Sequence, residues 1–109
     1  MPAKMTAKKV LQQVRKSLAK PEDWLQRGFV ADKDGKPVSV RAAEACKFCL
    51  HGALVFHNGP DTAPLTNAGE LILRCIGVNH VSNIILFNDN HSRTHAEILR
   101  IIDAASKLA

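Results

Sequence analysis

The chain has 109 residues, of which 46% are hydrophobic and 23% charged, and its formal net charge is +5. This length predicts a single domain over residues 1–109 with enough apolar residues for its own core. No apolar stretch approaches the roughly 18 residues that a membrane span needs. The N-terminus also lacks the apolar segment of a secretory leader, so we expect a cytoplasmic protein without a membrane partner.

The positive charge is concentrated near the N-terminus. The first 20 residues carry six basic side chains and no acidic one, whereas the other 89 carry nine basic and ten acidic ones, a net charge of −1. The same segment has an amphipathic pattern that predicts a helix over residues 4–20. We therefore expect a basic helix in front of a helical core over residues 21–109.

The next elements follow from local signals. Pro21 is expected to end the basic helix or to start the next element, and the acidic residues after it predict a short helical turn over 22–25. Apolar residues on both sides of an Asp-Gly turn predict a β-hairpin over 29–38. Ser39 is a suitable N-cap for a second helix from about Val40 to His57, which an Asn-Gly-Pro sequence would end.

The C-terminal half is predicted to be helical. A third helix is expected over 67–76, and the apolar run within 81–88 is either a buried strand or a short helical turn. Ser82 as an N-cap and the lack of partner strands favour the turn. A capping box opens the last helix, Thr94–Leu108. The predicted fold class is mainly α, an irregular bundle of four to five helices with one short β-hairpin around residues 29–38.

Cysteine and histidine spacing raises the question of a zinc site. Cys46 and Cys49 form a Cys-x-x-Cys pair, but on the predicted helix His51 points about 200° away from Cys49. Both cysteines are therefore predicted to be small core residues, and zinc would require Cys75 and a loop histidine to converge on them.

Two further metal patterns are incomplete. His91 and His95 have the spacing of a two-histidine arm, but His91 precedes the predicted helix and no histidine-plus-acid motif accompanies the pair. Asp32 begins a sequence like that of a calcium loop, but Ala43 stands where a bidentate glutamate is required. The sequence predicts no metal and no cofactor.

The polar pair Asn88-Asp89 ends an apolar run, and several side chains able to bind or react follow it. One interpretation is a hydrogen-bonded joint that seats the last helix. Another is a binding site in which the helix N-terminus adds affinity for an anion. A nucleophilic arrangement with Cys49 is disfavoured, because a thiol in the core has a raised pKa. The candidate site residues are Asn88, Asp89, Arg93, Thr94 and His95.

The basic helix also has alternative interpretations. Its lysines could contact a nucleic-acid backbone, or they could be solvated side chains that need no partner. It lacks interleaved aromatic residues and large apolar anchors, which disfavours a membrane surface. The candidate nucleic-acid contacts are Lys4, Lys8, Lys9, Arg15 and Lys16.

Several positions together carry a resemblance to a known family. They are Trp24, Gly28-Phe29, Asp32, Gly35, Cys49 through Leu54, Asn88-Asp89 and Arg93-Thr94. In order and spacing they resemble a family of small bacterial and phage proteins known only as a domain of unknown function. The resemblance implies a short protein often encoded on mobile elements, for which an accessory or inhibitory interaction role is reasonable.

The function expected from the sequence is a non-enzymatic module that acts through an unknown protein partner. Enzyme activity is left open but disfavoured. One alternative is binding of nucleic acid through the basic helix. The other is a small-ligand or hydrolytic site around Asn88, Asp89 and His95.

Overall fold

A computed structural model describes residues 6–58, 67–77 and 82–109 of the chain. It confirms the predicted fold class: helices predominate among these residues, with one short antiparallel pair of strands. The helices are α1 (Ala7–Ser17), α2 (Leu50–Asn58), α3 (Asn67–Ile76), α4 (Ser82–Asp89) and α5 (His95–Leu108). The strands are β1 (Val30–Ala31) and β2 (Lys47–Phe48), and a 3-10 turn spans Pro21–Asp23.

The core lies where α1, α2, α3 and α5 meet. Helix α1 packs against α2, α3 and α5, and α5 also packs against α3. The predicted apolar stripe of α1 is buried here, with Leu11, Val14 and Leu18 fully inaccessible to solvent. Ile98 and Ile102 supply the facing side of α5 and are also fully buried. Burial of such a helical stripe is the main stabilising contribution in a bundle of this kind.

The helix boundaries follow recognisable capping residues. Thr6 accepts a hydrogen bond from the Lys9 amide at 3.2 Å, so α1 begins at Ala7, and the predicted residues 4 and 5 lie outside the described part. Thr94 and Glu97 form the predicted capping box at the start of α5. Gly77 follows α3 with a φ of 89°, a left-handed conformation that glycine adopts without strain.

The turn predicted within residues 29–38 is present. Asp32 Oδ1 accepts hydrogen bonds at 2.9 Å from the amides of Asp34 and Lys36, and the chain then forms an antiparallel bridge between Ala31 and Pro37. The longer pairing of β1 is made with β2, in the register Val30–Phe48 and Ala31–Lys47. The sequence did not indicate this second pairing.

The predicted helix from Val40 to His57 is wrong over its first half, because α2 begins only at Leu50. The backbone before it bonds to β1: the Cys46 amide donates to the Ala31 carbonyl at 3.0 Å, and the Cys49 amide donates to the Phe29 carbonyl at 3.1 Å. Tertiary pairing has thus overridden local helix propensity. The helix ends at Asn58, and the Gly-Pro pair predicted to end it lies outside the described residues.

The ambiguous apolar run is helical over residues 82–88, as Ser82 and the lack of partner strands indicated, and residue 81 lies outside the described part. The run belongs to α4, which continues to Asp89 and is therefore longer than a single turn. A compact turn then leads into α5, with the Arg93 amide donating to the Asn90 carbonyl at 2.8 Å. In the part of the chain that the structure describes, no helix is both long and apolar enough to cross a membrane.

Candidate functional site

Asn88 is the buried polar residue around which the predicted site is built. Its side chain has no solvent exposure. Oδ1 accepts hydrogen bonds from the indole Nε1–H of Trp24 at 2.7 Å and from the amide of Leu50 at 2.9 Å. Nδ2 donates to the Leu25 carbonyl at 2.8 Å and to Asp89 Oδ1 at 2.9 Å. These four bonds use both donors and both acceptor positions of the amide, so the side chain is saturated.

The partners also determine which way the Asn88 amide points. An indole and a backbone amide can only donate, whereas a carbonyl and a carboxylate can only accept, so the reversed amide would oppose four mismatched groups. The Leu50 amide is the first N–H of α2, which has no partner inside its own helix. Asn88, near the C-terminal end of α4, therefore caps α2 and holds the two helices together.

Residues 24–27 form a segment that crosses the C-terminal end of α4 and is hydrogen-bonded to it. The side-chain amide of Gln26 donates to the carbonyls of Asn88 at 3.0 Å and Asn90 at 2.8 Å, which satisfies carbonyls beyond the last helical bond. Asp89 Oδ1 accepts from the Arg27 amide at 2.9 Å. Arg27 has a φ of 61°, a left-handed conformation that costs a non-glycine residue energy. We call this network of Asn88 and Asp89 with residues 24–27 and Leu50 the polar joint.

The other predicted site residues have separate structural partners. Arg93 Nε donates to the Phe87 carbonyl at 2.9 Å, and its guanidinium lies 3.7 Å from the centre of the Phe87 ring. Thr94 caps α5. His95 Nε2 donates to the Leu18 carbonyl at the end of α1, and its ring lies 6.1 Å from the nearer ring of Trp24. Among the described residues, these three side chains make no hydrogen bond to Asn88 or Asp89.

The three cysteines lie in different environments. Cys49 is buried directly before α2, and its Sγ accepts a hydrogen bond from the Gly52 amide at 3.2 Å. Burial raises the pKa of the Cys49 thiol to about 11, so the thiol is protonated at neutral pH and is a poor nucleophile. Cys46 is exposed and off the helix on which it was predicted. Within the described ranges, no three His, Cys, Asp or Glu side chains are placed to share a metal ion.

The candidate nucleic-acid contacts lie on and before α1. Lys8, Lys9 and Lys16 are exposed, and Lys4 lies outside the described residues. Arg15 is half-buried and forms an ion pair with Asp103 of α5, with Nε 2.9 Å from Oδ1. The basic surface of α1 therefore consists of lysines, while its arginine contacts the neighbouring helix.

Next to the polar joint lies a cavity that the sequence analysis missed. It has a volume of about 400 Å³ and is lined by Arg27, Gly28, Phe29, Cys49, Ile85 and Asp89. Phe29 is 42% exposed and Ile85 39%, and the adjacent Leu86 on α4 is 65% exposed. We call Phe29, Ile85 and Leu86 the apolar face.

A signal for the apolar face was present in the sequence. Residues 84–87 are four consecutive large apolar residues, and on a helix they span about 300° around the axis. They cannot all point into one core. In the structure Ile84 is buried and Phe87 packs beneath Arg93, while Ile85 and Leu86 point outward.

The His51 ring is buried beside the apolar face, and its protonation tests how tightly this region is packed. Both of its ring nitrogens are buried without a hydrogen-bond partner among the described residues, and its ring lies 5.5 Å from that of Phe29. Burial lowers the pKa of His51, and also that of His57, from the ordinary value of 6.5. The neutral imidazole is therefore the form that the fold accommodates.

We expect the free energy of unfolding to fall as the pH is lowered through 6.5, because the unfolded chain then binds protons that the folded chain does not. Each histidine contributes a slope of at most about 1.4 kcal/mol per pH unit. Urea unfolding across this pH range measures the effect. His51→Phe should reduce the slope and the exposed His91→Gln should not; equal slopes in all three proteins would contradict the assignment.

Comparison with known proteins gives one match. No curated protein and no solved structure matches the chain significantly. A protein-family model described as a family of unknown function (DUF6197) matches residues 2–108, nearly the whole chain. The match includes the polar joint and the apolar face. The chain therefore belongs to this family of unknown function, DUF6197.

Proposed function

We propose that the chain is a non-enzymatic protein-interaction module and that the apolar face is its contact surface. The observation that carries the proposal is a cavity lined by two exposed large apolar side chains, Phe29 and Ile85, with the 65% exposed Leu86 next to Ile85 on α4. Such side chains gain about 25 cal/mol for each Å² of apolar surface that a partner removes from water. Contiguous exposed apolar surface of this kind is typical of interaction sites.

The cavity suits a protein partner that inserts one apolar side chain. A volume of about 400 Å³ is within the range of pockets that hold an aromatic or branched aliphatic group. Buried anchors of this type carry most of the binding energy in many interfaces. An accessory role on a phage or other mobile element is consistent with such a module.

The chemistry around the polar joint supports a role without catalysis. Asn88 would have to break existing hydrogen bonds to reach a substrate, and the neighbouring Cys49 thiol is protonated. His95 donates to a backbone carbonyl of α1. A small-ligand or hydrolytic site at Asn88, Asp89, Arg93, Thr94 and His95 remains a hypothesis. It would be supported by a ligand whose binding Asp89→Ala abolishes without changing thermal stability.

The proposal can be tested without knowing the natural partner. We expect selection from a random peptide library to yield peptides with an apolar anchor. Their affinity should fall at least about tenfold for Ile85→Asp, the effect of losing one hot-spot contact. Leu108→Asp is the matched control, because Leu108 is also an exposed aliphatic residue, 52% accessible, at the end of α5. Peptides that bind Ile85→Asp as tightly as the unmodified chain would contradict the proposal.

Nucleic-acid binding through α1 is the second candidate function. It is favoured by Lys9 and Lys16, which are exposed, lie about two helical turns apart on one side of α1 and form no ion pair within the described residues. It ranks second because Arg15 is engaged with Asp103. Retention on duplex DNA at low salt, compared with that of a Lys9→Glu, Lys16→Glu double variant, decides this candidate.

A further inference from the structure

We propose that the partner of the apolar face is a second copy of this chain, which forms a two-fold symmetric dimer. This inference rests on the proposed function, since it names the protein that the same surface binds. In a two-fold dimer the same patch on both subunits must complement itself, so each contact occurs twice. The apolar face can complement itself in shape, and the charged side chains at the cavity have opposite signs and can complement themselves as well.

Leu86 is the most exposed large apolar residue in the described part of the chain, and the residue before it, Ile85, lines the cavity. Each copy thus presents an exposed leucine, one position after the cavity-lining Ile85, and a cavity of about 400 Å³, which is large enough to receive a leucine side chain. Two copies related by a two-fold axis can insert Leu86 into each other's cavity.

The charges at the cavity are self-complementary. Arg27 and Asp89 both line it and have opposite signs. Their one contact within the chain is between the Arg27 backbone amide and Asp89 Oδ1. The Arg27 guanidinium forms no ion pair, and Asp89 Oδ2 accepts no hydrogen bond, from any residue that the structure describes. In the dimer, the Arg27 of each copy meets the Asp89 of the other.

Electrostatic repulsion between two positively charged chains does not oppose this arrangement strongly. The net charge of +5 arises from the first 20 residues, whereas residues 21–109, which supply the apolar face, have a net charge of −1. A patch with one cation, one anion and an apolar centre has no charge that selects a strongly acidic or basic partner. Its best complement is a patch with the same three features.

Sedimentation equilibrium over micromolar to millimolar concentrations tests the proposal. We expect a reversible dimer whose dissociation constant rises at least about tenfold in Leu86→Asp and in Arg27→Glu. The Leu108→Asp control should dimerise like the unmodified chain, and Arg27→Lys should retain most of the affinity. Arg27→Glu keeps a non-glycine residue at the φ of 61°, so the backbone cost is the same. Thermal unfolding by circular dichroism identifies any variant that loses its fold.

The outcomes separate this inference from the proposed function. A chain that stays monomeric at every concentration, or a dimer that Leu86→Asp does not weaken, overturns the second copy as partner. If the monomeric chain still binds selected peptides in a way that requires Ile85, the proposed function stands with a different protein partner. A chain that neither dimerises nor binds such peptides overturns both proposals.

Discussion

Replacing Asn88 by alanine is expected to lower the free energy of unfolding by about 3–4 kcal/mol. The substitution leaves the Trp24 indole, the Leu50 amide and the Leu25 carbonyl without their partner, and each buried unpaired group costs about 1–3 kcal/mol. Such a loss is a large part of the total stability of a chain this size, about 5–15 kcal/mol. Urea unfolding followed by circular dichroism measures the change.

Two further substitutions show whether hydrogen bonding at Asn88 is the cause. Asn88→Asp preserves the size of the side chain but places a carboxylate oxygen opposite the Leu25 carbonyl and the Asp89 carboxylate, so we expect a similar loss. Asn90→Ala is the exposed control in the same turn and should cost about 1 kcal/mol or less. A loss of less than about 0.5 kcal/mol in Asn88→Ala, the usual range for surface changes, would show that the residue is not structural.

The second large effect is expected for Gly52→Ala. A Cβ atom at Gly52 would lie 2.3 Å from the Phe29 carbonyl oxygen, which is backbone and cannot rotate away. That oxygen also accepts the Cys49 amide, so moving it breaks the contact of residues 29–31 with the start of α2. We expect a loss of about 3 kcal/mol or more, the upper range for overpacking, or a chain that fails to fold.

Gly28→Ala is the matched control for this prediction. A Cβ at Gly28 would lie 3.7 Å from a Leu25 side-chain carbon, an ordinary van der Waals distance. We therefore expect a change within about 0.5 kcal/mol, as for other surface positions. Thermal unfolding of both variants makes the comparison, and a Gly52→Ala protein as stable as Gly28→Ala would show that the Phe29 carbonyl does not approach α2 this closely.

The helices that the sequence predicted well are those whose signals are local. Helix α1 has an apolar stripe at helical spacing, and α5 has a capping box directly before one. Helix α3 was predicted with its observed bounds, Asn67–Ile76. Each depends on residues within a few positions of one another, so no knowledge of the tertiary structure was needed.

The start of α2 was missed because its cause is distant in sequence. Lys47 and Phe48 lie within the predicted helix, but they pair with β1 in the register Val30–Phe48 and Ala31–Lys47. Pairing of this kind depends on how the backbone of the whole domain is folded. For the same reason the prediction for Cys46 was wrong: it was expected in the core on this helix, and it is exposed before the helix begins.

A hydrogen-bonded joint at Asn88-Asp89 was one interpretation of the sequence, but the residues that bind Asn88 were not predicted. The abrupt change from apolar residues to Asn88-Asp89 indicated a structural junction, which agrees with the complete hydrogen bonding of Asn88. No local signal indicated that Asn88 binds Trp24 and Leu50, which lie 64 and 38 positions away from it in the chain. His95, in the first turn of α5, bonds to the Leu18 carbonyl at the end of α1.

The joint and the apolar face are connected through the same short segments. Arg27 and Asp89 belong to the joint and also line the cavity, and Ile85 lies one turn before Asp89 on α4. The hydrogen bonds of Asn88 therefore hold residues 24–27 and α4 at the separation that forms the cavity. A rigid frame of this kind reduces the entropy lost when a partner binds.

The most direct test of this structural role is a double-mutant cycle between Trp24→Phe and Asn88→Ala. Trp24→Phe removes the indole donor while retaining an aromatic ring beside His95. If the 2.7 Å bond from Nε1 to Oδ1 contributes as described, the effects on the free energy of unfolding will be non-additive by about 1–2 kcal/mol. Effects that add to within about 0.3 kcal/mol would contradict the central place of Asn88 in the fold.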